Sequence, residues 1–285
     1  MAKTGRRRAS ADDSPTYPTC VRHLKPRKDV GLRHYFLCDV CAEQWVAEAF
    51  DGHDPAATGE PLRGYCLLCN QAKTVRLRTW FLCDICDRVA RSIGRNHVAE
   101  HAILNFWAEQ VKPKFPQLAI RQNDVSSLRP RRDTDVSGRG PLDFLVEDAS
   151  SGKTLFGIEN KTGRSSIREM SQFQLDVSDC DSILNHVREL NVPAYIIHAQ
   201  VLEIWEPPTV GFRVVGLWWT DIYRMAENFT GVKMRRTEQR GAAYFKRAAF
   251  SPIDTFVDAL YDERGRLVLA SQFQGRGIPK MYIQD

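Results

Sequence analysis

The sequence predicts a mixed α/β domain, a central sheet flanked by helices, with a small cysteine-rich module ahead of it. Three observations carry this expectation: paired cysteines in tandem before residue 88, a long amphipathic stretch over residues 87–110, and beyond it apolar runs of strand length alternating with helical periodicity. A chain of 285 residues is long enough for one α/β domain and an appended module. Hydrophobic residues at 43% and charged residues at 26% are ordinary for a soluble globular protein, and no stretch is apolar enough to span a membrane.

The expected organisation is a flexible basic tail over 1–17 with Arg6, Arg7 and Arg8, a cysteine module over 18–88, and the α/β domain over 89–285. In the module, Cys20-Val-Arg-His23 and Cys38-Asp-Val-Cys41 form one set, and Cys66-Leu-Leu-Cys69 with Cys83-Asp-Ile-Cys86 forms another. Two-residue spacing lets each pair grip one side of a tetrahedral Zn2+. An internal repeat supports tandem modules: Tyr35-Phe-Leu-Cys-Asp-Val-Cys41 echoes Trp80-Phe-Leu-Cys-Asp-Ile-Cys86. The sequence therefore predicts two structural zinc ions, one on Cys20, His23, Cys38 and Cys41 and one on Cys66, Cys69, Cys83 and Cys86.

Disulfides would need an oxidising compartment. No apolar signal stretch follows the basic start and Cys180 is left over, so reduced thiols in the cytoplasm are expected, with Cys180 a buried, incidental thiol. Arg22, Lys25, Arg27, Lys28, Arg33, Lys73, Arg76 and Arg78 surround the cysteines and would attract phosphate. Of the interleaved aromatics Tyr35, Trp45, Tyr65 and Trp80, which could stack on bases or fill small cores, Tyr35 and Trp80 are expected in the core. Protein docking is the alternative use of these modules.

Residues 87–110 read as a helix with Val89, Ile93, Val98, Ala102, Leu104 and Trp107 among its apolar positions and Glu100 on it. His97 and His101 flank Glu100 and are expected to pack, since no glutamate stands between them in the H-E-x-x-H arrangement. A basic loop follows, with Arg129, Arg131, Arg132 and Arg139 as candidate phosphate clamps and Asp133 and Asp135 as lesser candidate metal carboxylates. Net charge is +5, with a further basic cluster at residues 233–240.

Next comes Pro141-Leu-Asp-Phe-Leu-Val146, a polar turn over 148–152, and Leu155-Phe-Gly-Ile-Glu-Asn-Lys161: two strands joined by a tight connection. Strand side chains alternate, so Glu159 and Lys161 share a face and Asn160 points away. Asp143 and Glu159 offer hard oxygens to Mg2+ or Mn2+, an ion that lowers the pKa of bound water and offsets charge on a phosphorane, with Lys161 beside that water. On these residues the sequence resembles the PD-(D/E)xK, or restriction-endonuclease-like, nuclease superfamily, with Leu142 as an extra residue between proline and aspartate. The resemblance implies a restriction-endonuclease-like core, metal binding by Asp143 and Glu159, assistance by Lys161, and Glu100 completing the metal shell.

After the hairpin, Ser166-Ile-Arg-Glu169 has a capping-box pattern, and Ile167, Met170, Phe173, Gln174 and Val177 recur near helical spacing, so a helix is expected there. A second helix is expected over 181–190, and the apolar run 193–201 as a central strand covered on both faces. Residues 212–219 read as a strand, Thr220 as the cap of a helix through Phe229, 242–250 as a strand, and Ser251-Pro-Ile-Asp254 as a helix start. The functional expectation is a metal-dependent DNA endonuclease, with RNA as an alternative substrate, zinc modules positioning the nucleic acid, and a homodimer compatible with the sequence. The alternative from another class is a non-catalytic zinc-dependent binding protein on a nuclease-like scaffold.

Overall fold

The computed structural model describes residues 17–50, 52–53, 56–123, 142–206, 209–235 and 240–280. The arginine loop with Asp133 and Asp135, Pro141, and the tail arginines lie outside the described residues. Near the N-terminus, β1 (Thr19–Cys20) pairs with β2 (Lys25–Pro26). Then follow β3 (Gly31–Leu37), α1 (Asp39–Ala49), β4 (Ala56–Tyr65), β5 (Ala72–Leu82) and α2 (Asp84–Phe106). The repeat seen in sequence is thus strand, cysteine turn, helix, occurring twice, and β3 and β5 pair antiparallel with β4 on the far edge of β5.

Tyr35, Trp45, Phe50 and Trp80 are buried together, with ring centroids 5.1 to 5.4 Å apart. Edge-on contacts of Trp45 with the other three rings, and Phe50 stacked on Trp80, fill this small core. None of Tyr35, Trp45 and Trp80 is therefore open to stack on a base.

The expected boundary at residue 88 falls inside α2, which runs unbroken through it and ends in a π turn over Trp107–Val111. Ala90, Ile93, Val98 and Ala99 of α2 share one apolar cluster with the cysteine module and with Ala199, Val201 and Phe212 of the main sheet. Gly94 allows the approach, since a Cβ there would stand 2.5 Å from the Phe212 ring.

The remaining elements are β6 (Leu118–Gln122), β7 (Phe144–Asp148), β8 (Thr154–Gly163), β9 (Gln172–Asp176), α3 (Val177–Leu190), β10 (Ala194–Glu206) and β11 (Thr209–Asp221). They continue with α4 (Ile222–Glu227), β12 (Phe229–Arg235), β13 (Arg240–Lys246), β14 (Ser251–Pro252), α5 (Phe256–Ala259) and α6 (Val268–Arg276). Among the described residues the main sheet has the order β14-β11-β10-β8-β7-β6, mixed because β8 and β10 run parallel while the other pairs are antiparallel. Residues 194–199 of β10 are buried on both faces, as their continuous apolar run requires.

Thr162 Oγ1 donates to Asn96 Oδ1 of α2 at 2.9 Å, while its neighbour Lys161 reaches Asp179 of α3. Adjacent strand residues point to opposite faces, so α2 and α3 cover opposite sides of the sheet at β8.

The helix expected from Ser166 onward is a correction. Ser166 Oγ accepts from the Arg168 amide at 3.2 Å and Glu169 Oε2 from the Ser166 amide at 3.4 Å, so the capping contacts form, but they close a single turn. Gln172-Phe-Gln-Leu-Asp176 then alternates exposed and buried as β9 and pairs with β13, Phe173 opposite Phe245 and Leu175 opposite Ala243. Period two wins over the apparent helical spacing because a partner strand some 70 residues downstream takes up its hydrogen bonds. A smaller correction concerns α4: Asp221, not Thr220, is its cap, accepting from the amides of Tyr223 and Arg224 at 2.8 and 2.9 Å. Residues 242–250 leave the strand at Lys246, and Ser251-Pro252 bridges β11 before the following turn of helix.

His198 on β10 is 2% exposed, ringed by Phe173 and Trp218, and bonded only through Nε2 to the Ser165 carbonyl at 3.4 Å. Burial pulls its pKa down to about 4. The fold therefore prefers the neutral ring, and the stability it supports is complete above the unfolded value near 6.5 and lost as pH falls from there toward 4. Each pH unit in that window should cost about 1.4 kcal/mol from this ring alone. Denaturant titrations of the parent and His198→Gln at pH 7 and pH 5.5 should differ in acid sensitivity by about that amount; equal slopes would refute it.

Candidate functional site

The polar turn after β7 is pinned by Asp148, whose Oδ1 accepts from the amides of Ser150 and Ser151 at 3.0 and 2.9 Å, with Gly152 at φ +68°. This sets the β7–β8 register, in which Phe144 pairs with Ile158. Asp143, one residue earlier, consequently stands across from Glu159, and its Oδ2 accepts from the Asn160 amide at 2.6 Å. Lys161 Nζ lies 2.8 Å from Glu159 Oε1 and 3.3 Å from Asp179 Oδ2. The three residues predicted on the hairpin thus meet at one end of β8.

Electrostatics mark the site. Burial raises the Asp143 carboxyl well above the ordinary range, and the nearby Glu159 and Glu100 charges add to that against the Asn160 amide. For Lys161, burial works against the charged form, but Glu159 and Asp179 outweigh it and hold the ammonium above its ordinary value. A proton-loving carboxyl beside a firmly charged lysine is an arrangement that a bound cation, not a hydrophobic core, would relieve.

Glu100 is 3% exposed on α2 and accepts from Gln122 Nε2 at 2.9 Å. It approaches from the α2 face, whereas Glu159 and Lys161 point to the α3 face. Asn160 also points to the α2 side, with Oδ1 buried and without a hydrogen-bond partner. Among the described residues, Asp143, Glu159 and Glu100 do not form a group of three ligand atoms within 4.8 Å of one another. As placed they cannot all bind one Mg2+ directly, whose bonds of about 2.1 Å put opposite ligands about 4.2 Å apart. One or two carboxylates with waters filling the remaining positions suit them, and that is the usual Mg2+ arrangement.

Asp179 was not foreseen. It sits in the first turn of α3 and carries no motif, and only the packing of α3 on the sheet brings it to Lys161. Gln122 likewise has no local signal. His97 and His101 lie edge to edge, ring centroids 4.7 Å apart, and pack against each other as expected. Cys180 is fully buried next to Asp179 and Lys161, and burial pushes its thiol up to about 12.

The eight residues read as zinc ligands do cluster in two groups, but the partners are exchanged: Cys20, His23, Cys83 and Cys86 form one, and Cys38, Cys41, Cys66 and Cys69 the other. The antiparallel pairing of β3 and β5 dictates this. The residues that follow β3 must meet those that precede β5, and the reverse at the other end, as Leu37 opposite Arg76 and Gly31 opposite Leu82 require. The Leu67 amide bonds the Phe36 carbonyl at 2.9 Å, the Cys38 amide bonds Cys66 Sγ at 3.4 Å, and the Val21 amide bonds the Phe81 carbonyl at 2.9 Å.

Both groups fit a tetrahedral ion. Their ligand atoms lie within 4.8 Å of one another, and His23 Nδ1 is 3.4 Å from both Cys83 Sγ and Cys86 Sγ. Zn–S near 2.3 Å and Zn–N near 2.05 Å give an S to N edge of about 3.5 Å. With four protein ligands each, such sites are structural.

Several basic residues of this region already have acidic partners: Arg27 with Asp29 at 2.9 Å, Arg33 with Asp84 at 2.6 Å, and Arg76 and Arg78 with Asp39 at 3.5 and 3.4 Å. The phosphate-attracting surface there is smaller than composition suggested. No helix among the described residues is long and apolar enough to cross a membrane.

No protein-family model matches the chain, and no curated protein matches it. Among solved structures, a Holliday junction resolvase from the archaeal hyperthermophile Archaeoglobus fulgidus matches at 12% identity and a TM-score of 0.28, covering 53% of this chain and 85% of that one. Values this low leave the functional reading to rest on the residues themselves.

Proposed function

We propose that the chain is a Mg2+- or Mn2+-dependent endonuclease that hydrolyses phosphodiester bonds in DNA. The observation that carries this is the Lys161 ammonium, held 2.8 Å from Glu159 on one face of β8 with the half-buried Asp143 across from it. Asp143 and Glu159 would hold the ion, which when bound acidifies water and stabilises charge on the phosphate. Lys161, fixed from two sides by Glu159 and Asp179, stays protonated and so acts as an electrostatic group and hydrogen-bond donor toward the attacking water or the developing charge, not as a general base. Glu100 and Asn160 Oδ1 supply hard oxygens on the α2 side, suited to waters around the ion rather than to direct ligation. The zinc clusters hold β3, β5 and the start of α2 in place, and through α2 they position Glu100.

Incubation with single-stranded, duplex, branched and methylated DNA and with RNA, with Mg2+, Mn2+ or Ca2+, tests the reading. Cleavage of DNA in Mg2+ or Mn2+ is expected. A protein with full zinc content that binds these substrates and cuts none of them would be a binding module on a nuclease-like scaffold instead.

A further inference from the structure

Beyond the cleavage site, α2 and the end of β8 bring four arginines around two carboxylates. Arg91 pairs with Asp87 at 3.1 Å and also with Glu203 of β10. Arg164, one residue past β8, reaches the same Glu203 at 3.6 Å, and Arg33 of β3 lies 3.8 Å from Asp87. Arg95 comes one helical turn after Arg91, on the same side of α2. The bond between Thr162 and Asn96 fixes that turn of the helix beside the end of β8. Asp87 and Glu203 thus serve Arg91 and Arg164, Arg33 has Asp84 at 2.6 Å as well as Asp87, and Arg95 is left with no hydrogen bond or ion pair among the described residues.

Burial and then the adjacent Arg164 guanidinium lower the pKa of Arg95, only partly offset by the Glu203 charge, although it stays charged at neutral pH. A half-buried guanidinium set against another without a carboxylate of its own destabilises the fold, and an alkyl chain would serve packing better. Arg164 is 69% exposed, so the pair opens to solvent.

We propose that Arg95 and Arg164 together hold one backbone phosphate of the nucleic acid, on the α2 side of the sheet and away from the bond that is cut. Two guanidinium planes can each give paired N–H donors to the non-bridging oxygens of a phosphodiester. Arg164 lies three residues past Lys161, about 10 Å along the strand, and on the α2 side of the sheet, whereas Lys161 faces α3. The ligand's identity rests on the nuclease reading, but its binding does not need cleavage.

The test is fluorescence anisotropy of a labelled DNA duplex with the zinc-loaded protein in Ca2+, over a series of salt concentrations, for the parent, Arg95→Ala, Arg164→Ala, the double variant and Arg95→Lys. Each alanine variant should bind about tenfold more weakly, because the phosphate keeps one of its two guanidinium partners. In the double variant that phosphate is no longer neutralised, and the slope of log affinity against log salt should fall by about 0.9 and not twice that. Arg95→Lys keeps the charge and should keep most of the slope. A parent that does not bind, single variants within twofold of the parent, or a double variant losing about 1.8 would each overturn the pair. Weakened binding by the variants of a parent that binds but never cuts would uphold this site while removing the endonuclease reading; cleavage by the parent with unchanged binding by the variants would do the opposite.

Discussion

Asp143→Asn and Lys161→Met should both end cleavage while moving stability in opposite directions. Each substitution removes a group placed to act on the phosphate or its ion, and a loss of about 10³-fold or more in rate is expected, equivalent to about 4 kcal/mol of transition-state stabilisation. The stability signs follow from the site's electrostatics. Burial and Glu159 raise the Asp143 carboxyl in the folded state above its unfolded value near 3.9, so folding favours the protonated form. The stability it contributes is present below that unfolded value and is lost as pH rises through the folded one, and at neutral pH its charge works against the fold. Asparagine keeps an acceptor for the Asn160 amide and drops the charge, and the variant should melt at a higher temperature than the metal-free parent. Lys161→Met leaves Glu159 and Asp179 facing each other without their cation and should cost roughly 2–3 kcal/mol, less than a fully dry pair because both acids keep some solvent contact. Thermal melts alongside single-turnover cleavage read both effects. If Asp143→Asn cuts like the parent, Asp143 does not hold the ion.

The exchanged cysteine partners make a prediction of comparable size. Replacing Cys20, His23, Cys83 and Cys86 by alanine should leave about one zinc per chain, because Cys38, Cys41, Cys66 and Cys69 remain whole. Replacing Cys20, His23, Cys38 and Cys41 should leave none, because each remaining pair is half a site. Partners taken in sequence order would give the reverse result, and elemental analysis of the two variants distinguishes them. The energetic stake is large, since structural zinc contributes on the order of 10 kcal/mol to small domains of this kind. Loss of the group containing Cys83 and Cys86 should also loosen the start of α2 and with it the placement of Glu100, lowering cleavage along with zinc content.

Local chemistry was legible where neighbours in sequence are neighbours in space. The β7–β8 hairpin could be read because its turn residues and its alternation lie within 20 positions, and that register alone puts Asp143 across from Glu159. Helix α2 could be read because periodicity over more than ten residues outweighs local exceptions, and strand β10 because its apolar run is continuous. The larger misreadings share one cause. Residues 172–176 carry helical spacing yet form a strand, because their partner β13 comes some 70 residues later. Asp179 was passed over because nothing near it in sequence says that α3 docks at Lys161.

The kinds of residue that do the chemistry, and their spacing along each element, were set by the chain's own order: carboxylates and a lysine alternating on a strand, thiols two residues apart, a glutamate on an amphipathic helix. Which of them meet is another matter. Antiparallel pairing of β3 with β5 exchanged the zinc partners, and packing of α2 and α3 on opposite faces of β8 drew Asp179 to Lys161 and kept Glu100 on the far side. Spacing is a property of one segment of backbone, whereas meeting requires the hydrogen-bond register and helix packing of segments far apart in the chain, and no local pattern encodes those.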